Sequence, residues 1–203
     1  MPLLAGAAAL LLGNGAIAAA TLLLRCTRPA PVPGVGIRHA HPVDPKVIRG
    51  AAPGRVGLRD LAAAGVTTVV DLRAEAGIAV HDDLLAELGI ERHALPVRDG
   101  QVPTEDQARR LLRIVDEAPG AVYLHCGAGV GRTGAMAAWY LHATGQATGT
   151  EALRRNLAIG PPSLEQVAFA LRTAGGEYAR PGPAVTALSR VLDGPRRLWH
   201  HLT

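Results

Sequence analysis

Short apolar runs alternate with stretches of helical periodicity through the middle of this chain. Residues 66–72, Val66-Thr67-Thr68-Val69-Val70-Asp71-Leu72, form a β-branched run bounded by Gly65, which predicts an interior strand. Residues 91–97 alternate with period two and predict another strand, and the short apolar run that opens at Val122 and ends before His125 a third. Residues 35–39 and 46–50 read as short opening strands separated by a proline-rich turn. Between these runs, residues 57–65 predict a helix closed by Gly65, and residues 81–88 a helix stopped by Gly89. Thr104-Glu105-Asp106-Gln107 is a capping box that opens a helix over 104–118. Further helices are predicted over 135–141, over 149–157, and from the cap Ser163 to about residue 173, where Gln166 reads as a surface position. Strands alternating with helices give an α/β fold, a central, mostly parallel sheet flanked by helices. In such sheets the functional site lies beyond the carboxyl ends of the strands.

The ends of the chain have a different pattern. Residues 3–24 are uncharged and mostly apolar, about the ~20 residues a helix needs to cross a bilayer. A cleaved signal peptide is the competing reading, but no Lys or Arg precedes the run and it continues past the small residues Ala16-Ile17-Ala18. Arg25 and Arg28 follow at once, which favours a single-pass membrane anchor with the rest of the chain cytoplasmic. The expected organisation is an anchor over 1–25, a stiff Pro-rich linker over 26–45, a globular domain over 46–178 and a tail over 179–203. Leu188, Leu192 and Trp199 make that tail a candidate amphipathic helix.

Composition narrows the partners. Lys+Arg is 21 against Asp+Glu 17, yet Lys46 is the sole lysine and no basic run is interleaved with aromatics, so no nucleic-acid partner is expected. Two cysteines, Cys26 and Cys126, are too few for a disulfide framework. His39 and His41 lack further ligands nearby and read as surface histidines; no metal or other cofactor is expected.

Candidate chemistry concentrates where residues 122–125 run into Cys126-Gly127-Ala128-Gly129-Val130-Gly131-Arg132-Thr133. A strand, a glycine-rich loop and a helix in succession build an anion cradle, because successive backbone N–H groups and the positive helix end face one small volume. Glycine lets that backbone curl without a Cβ in the way. A cysteine set among N–H donors beside a guanidinium is pushed toward thiolate. Arg132 offers a planar fork matched to two phosphoryl oxygens, and the Thr133 hydroxyl could serve the sulfur. The lysine of a nucleotide-hydrolysing P-loop is missing.

His125-Cys126-x-x-Gly129-x-x-Arg132-Thr133 resembles the signature of the cysteine-dependent protein tyrosine phosphatases, in particular their small dual-specificity-like branch. Residues 45–175 share the resemblance more loosely, Arg49-Gly50-Ala51-Ala52-Pro53 and Val70-Asp71-Leu72-Arg73 included. It implies a dual-specificity phosphatase-like fold, Cys126 as nucleophile, and Gly127, Ala128, Gly129, Val130, Gly131 and Arg132 as phosphate binders, with His125 and Thr133 in support. It also implies a general acid on a mobile loop upstream of the cysteine, ahead of a proline. Asp99, in Arg98-Asp99-Gly100-Gln101-Val102-Pro103, occupies that place, whereas Asp106 is explained by a helix N-terminus. The implied substrates are phosphorylated proteins, with a small phosphomonoester or phosphoinositide as the alternative. A rhodanese-like sulfurtransferase and an inactive phosphate-binding module fit Arg132-Thr133 and Asp99 less well.

Overall fold

A computed structural model of the chain describes residues 2–173 and 177–202. The helix α1 (Pro2–Leu24) and a 3-10 turn (Arg25–Thr27) lead into β1 (His41–Pro42), β2 (Val47–Gly50), α2 (Arg55–Ala63), β3 (Val66–Arg73), α3 (Asp82–Glu87) and β4 (Glu91–Val97). Then come α4 (Glu105–Glu117), β5 (Ala121–His125), α5 (Gly131–Ala143), α6 (Gly149–Ile159), α7 (Leu164–Arg172) and α8 (Pro183–Leu202). The strands form one sheet in the order β1-β2-β5-β3-β4, parallel except for the antiparallel pair β1–β2.

Side-chain alternation decides how that sheet is covered. Along β5, Val122 and Leu124 enter one apolar cluster while Tyr123 enters another. In β3, Val70 and Leu72 join the first cluster and Val66 and Val69 the second. The first is closed by Leu111 of α4, Met136 and Trp139 of α5 and Phe169 of α7, the second by Leu58 and Leu61 of α2 and Leu84 and Leu85 of α3. Both faces are therefore buried, as parallel sheets require. Thr104 and Ser163 each complete a capping box with a glutamine three residues on, so α4 and α7 begin where their sequences place them.

Two expectations at the front of the chain fail. Residues 35–39 are not a strand: Gly34 and His39 have φ of 72° and 61°, the backbone turns there, and the edge strand is the two-residue β1. The single-pass anchor over residues 1–25 also fails, and with it the membrane partner and the cytoplasmic orientation. Among the described residues no helix is long and apolar enough to cross a membrane. The glycines of Gly13-Asn14-Gly15 weaken the helix, and the end of α1 is engaged with the domain. Thr21 is buried with its hydroxyl bonded to the Ile17 carbonyl, and α1 packs on α6. The Pro-rich stretch is likewise docked. Arg28 donates to the carbonyls of Ala158 and Ile159 at the end of α6, a favourable place for a cation, and Val35 lies in the second apolar cluster. The tail forms α8 against α7, with Ser189 buried and accepting from the Glu165 amide; the Trp199 side chain lies outside the described residues.

Candidate active site

β5 lies between β2 and β3 with all three running the same way. Its carboxyl end, where Cys126 begins the glycine-rich loop, thus sits among the segments that leave β2, β3 and β4. Those exits carry Ala51 and Ala52, Glu75 and Asp99. Cys126 is 3 % exposed, and its Sγ accepts from the Gly129 amide at 3.3 Å.

The orientation of the loop is set from outside. His125 Nδ1 meets the Cys126 carbonyl (3.2 Å), the Ala52 amide the Gly127 carbonyl (3.0 Å) and His39 Nδ1 the Ala128 carbonyl (2.9 Å). One nitrogen of Arg49 donates to the carbonyls of Gly129 (2.9 Å) and Val130 (3.1 Å). Carbonyls only accept, so both imidazoles present Nδ1–H here. In a trans peptide the C=O of one residue opposes the N–H of the next. Five consecutive carbonyls drawn outward therefore turn the amides of residues 127–131 inward. Gly129 has φ 74°, and a Cβ there would run into the backbone of Gly50 and Ala51, so glycine is required on both counts.

Arg132, in the first turn of α5, is 5 % exposed. One terminal nitrogen donates to the Glu75 carboxylate (3.0 Å) and the Val97 carbonyl (3.1 Å). The other approaches Gly127, where a Cβ would lie 3.8 Å away, so the Nε edge of the guanidinium faces the loop. Asp99 Oδ1 lies 3.4 Å from Nε, within ion-pair range but outside hydrogen-bond geometry, and its side chain is 59 % exposed. Burial of the Glu75 carboxyl would raise its pKa, but the bonds from Arg132 outweigh this and hold it low. The Thr133 hydroxyl is fully buried without a partner among the described residues, and no bond joins it to the sulfur.

Asp99, Gly100, Cys126, Ala128, Val130 and Arg132 line a cleft of about 60 Å³ that Pro161, Ser163, Gln166 and Asp193 close on the far side. Gln166 is not a surface residue: at 1 % exposure it is held by the Ser163 amide and the Gln101 carbonyl. His41 is buried as well. Arg49, Glu75 and Asn156 are residues around the loop that sequence reasoning passed over, and His39, read as a surface histidine, is bonded to the loop at the Ala128 carbonyl. Among the described residues no cluster of His, Cys, Asp and Glu is arranged to hold a metal ion.

His125 is 2 % exposed, and burial pushes its pKa down to about 4 against the pull of the Asp71 carboxylate. Asp71, 3.9 Å away, is bound through both oxygens by Arg73, and those bonds outweigh its own burial to keep its pKa low. Unfolding lets the imidazole take up a proton with its ordinary affinity, so the unfolded state binds more protons between about pH 6.5 and 4. Stability should fall as pH drops through that window, by about 3 kcal/mol from this residue. His125→Asn keeps a donor near the Cys126 carbonyl and should flatten the acid-side decline in melting temperature. His39, His41 and His142, whose pKa values burial also lowers, supply the remaining slope. Identical declines in both proteins would mean that His125 titrates normally.

A family described as a DSP-PTPase phosphatase fused to NAD+ kinase matches residues 38–172. The human dual specificity protein phosphatase CDC14C is 34% identical over 123 residues, which cover 52% of this chain and 27% of that protein. Human CDC14A is 42% identical over 53 residues, 26% of this chain and 9% of that protein. The chain thus matches only 27% and 9% of these relatives' own length. Among solved structures, Tk-PTP in its active form superposes with TM-score 0.59 at 24% identity, covering 68% of this chain and 96% of that one. P. aeruginosa TpbA in complex with pTyr gives 0.56 at 21%, covering 80% and 93%. At these identities the superpositions speak for the fold alone.

Proposed function

This chain belongs to the dual-specificity-like branch of the cysteine-dependent protein tyrosine phosphatase superfamily, and from that membership we propose that it hydrolyses phosphomonoesters through a phosphocysteine intermediate. The observation that carries the reading is the loop whose five outward-held carbonyls turn its amides toward the volume above Cys126. Three equatorial phosphoryl oxygens need many fixed donors, and preorganised amides supply them without reorganisation during the reaction. The Cys126 thiolate attacks phosphorus in line, forming the S–P bond as the P–O bond to the leaving group breaks. Arg132 holds two equatorial oxygens. Asp99, exposed at the mouth of the cleft, gives its proton to the departing oxygen. Water then attacks the phosphorus of the phosphocysteine and gives a proton to Asp99, the S–P bond breaks, and the Cys126 thiolate is regenerated as inorganic phosphate departs.

Phosphorylated tyrosine, serine or threonine in proteins is the proposed substrate class. The relatives named as dual specificity protein phosphatases support it. A small phosphomonoester is the second reading, favoured by the modest cleft volume. Phosphoinositide relatives tend to carry loop lysines, and Ala128 and Val130 stand at those places. Rates on a phosphotyrosine peptide and on an inositol phosphate separate the two.

The test of the chemistry is a series of aryl phosphates of rising leaving-group pKa. Asp99→Ala should slow the ordinary phenyl ester by ~10²–10⁴-fold and an activated phenol ester much less. Asp106→Ala, in the first turn of α4, should leave the dependence unchanged. Equal slopes for both variants and the wild type would place the proton donor elsewhere.

A further inference from the structure

Arg49 projects from β2 beneath the loop and is 5 % exposed. Its hydrogen bonds go to the carbonyls of Gly129 and Val130 and to Asn156 Oδ1 (3.0 Å), all neutral acceptors. Its Nε is buried without a partner, and among the described residues no carboxylate pairs with it. Asn156, from α6, is 1 % exposed, and its amide fills the space where Gly134 lacks a Cβ. The chain therefore buries a guanidinium with no fixed counter-charge, an arrangement that is costly unless an anion compensates it. Burial pushes the Arg49 pKa down to about 10, which still leaves the group charged at neutral pH. Charge at Cys126 favours the protonated guanidinium, so the two groups sense each other across the loop.

We infer that Arg49 is the internal counter-ion of the anion cradle: a positioning residue that grips the Gly129 and Val130 carbonyls and lends its charge to the thiolate and the bound phosphoryl group. The inference rests on the proposed phosphatase reading for its biological meaning, though not for its physical content. Arg132 meets the anion from the cleft, and Arg49 meets it from behind through the peptide planes it holds. Because all three Arg49 hydrogen bonds come from one nitrogen, clamp and charge are carried by one group and must be separated by substitution.

Asn156→Asp sets a carboxylate against the guanidinium while keeping the shape and the acceptor, so it cancels the charge and spares the clamp. Arg49→Lys keeps the charge, but its stem is one bond shorter, so the ammonium falls short of the point where one Arg49 nitrogen meets both carbonyls and Asn156 Oδ1. The readouts are alkylation of Cys126 by iodoacetamide at pH 6, binding of inorganic phosphate, turnover of an aryl phosphate, and melting temperature. Asn156→Asp should slow alkylation and weaken phosphate binding by ~10-fold each, with no fall in melting temperature. Arg49→Lys should alkylate within about threefold of wild type yet lose roughly 10-fold or more in kcat. Wild-type alkylation and phosphate binding in Asn156→Asp would overturn the counter-ion role, and wild-type kcat in Arg49→Lys the clamp. Lowered melting temperatures with unchanged alkylation in both variants would make Arg49 a merely structural residue and overturn the inference. A wild type that hydrolyses no aryl phosphate, but whose thiol and phosphate binding respond to Asn156→Asp as described, would sink the phosphatase reading and support this one.

Discussion

Cys126→Ser should bind phosphate as the parent does and turn over no aryl phosphate, a loss on the order of 10⁵–10⁶-fold. The serine hydroxyl is a far weaker acid than the thiol, and the neighbouring ring of His125 is buried, neutral and committed to the Cys126 carbonyl, so it does not activate it. Binding survives because the donors belong to the backbone and to Arg132. Cys26, exposed at the end of the first helix, cannot substitute for it. Isothermal titration with inorganic phosphate beside a steady-state assay checks both halves. Undiminished turnover in the serine variant would remove the nucleophile assignment outright.

Arg132→Lys should cost about 10³-fold in kcat/KM with little change in folding. One nitrogen of the guanidinium is spent on Glu75 and the Val97 carbonyl, which leaves the Nε edge for the ligand. An ammonium has a single nitrogen and cannot serve both sides. Glu75→Gln distinguishes the two tasks: it keeps an acceptor for the anchored nitrogen and removes the competing charge, so phosphate should bind at least as tightly as before. If lysine at position 132 sustained wild-type turnover, bidentate recognition would play no part.

The architecture was legible from periodicity because buried parallel strands leave uninterrupted β-branched runs such as residues 66–72, and because Thr104 and Ser163 carry complete caps in four residues. The cysteine loop was legible because its donors are contiguous in sequence. What lay hidden is contributed from a distance. Arg49 sits in a four-residue strand with no acidic neighbour, and only its burial shows that it is more than a surface charge. An arginine inside an apolar strand run, without a carboxylate in register, was the available signal. Glu75 follows a strand as any loop acid might, and Asn156 lies within an ordinary helical pattern. The apolar stretch at the front misled because composition alone does not say which surface an apolar helix meets, and the end of this helix meets α6.

The cradle's tethers also set an order of events during folding. His39 and Arg49 reach carbonyls 80 to 89 positions further along the chain, and such long closures cost chain entropy before any contact rewards them. A nascent chain that has formed the hairpin of β5 and α5, but has not docked the segment around residues 39–52, holds its cysteine in a slack loop with unaligned amides. The aligned cradle is then a late product of folding, completed only when the front of the chain closes on the loop.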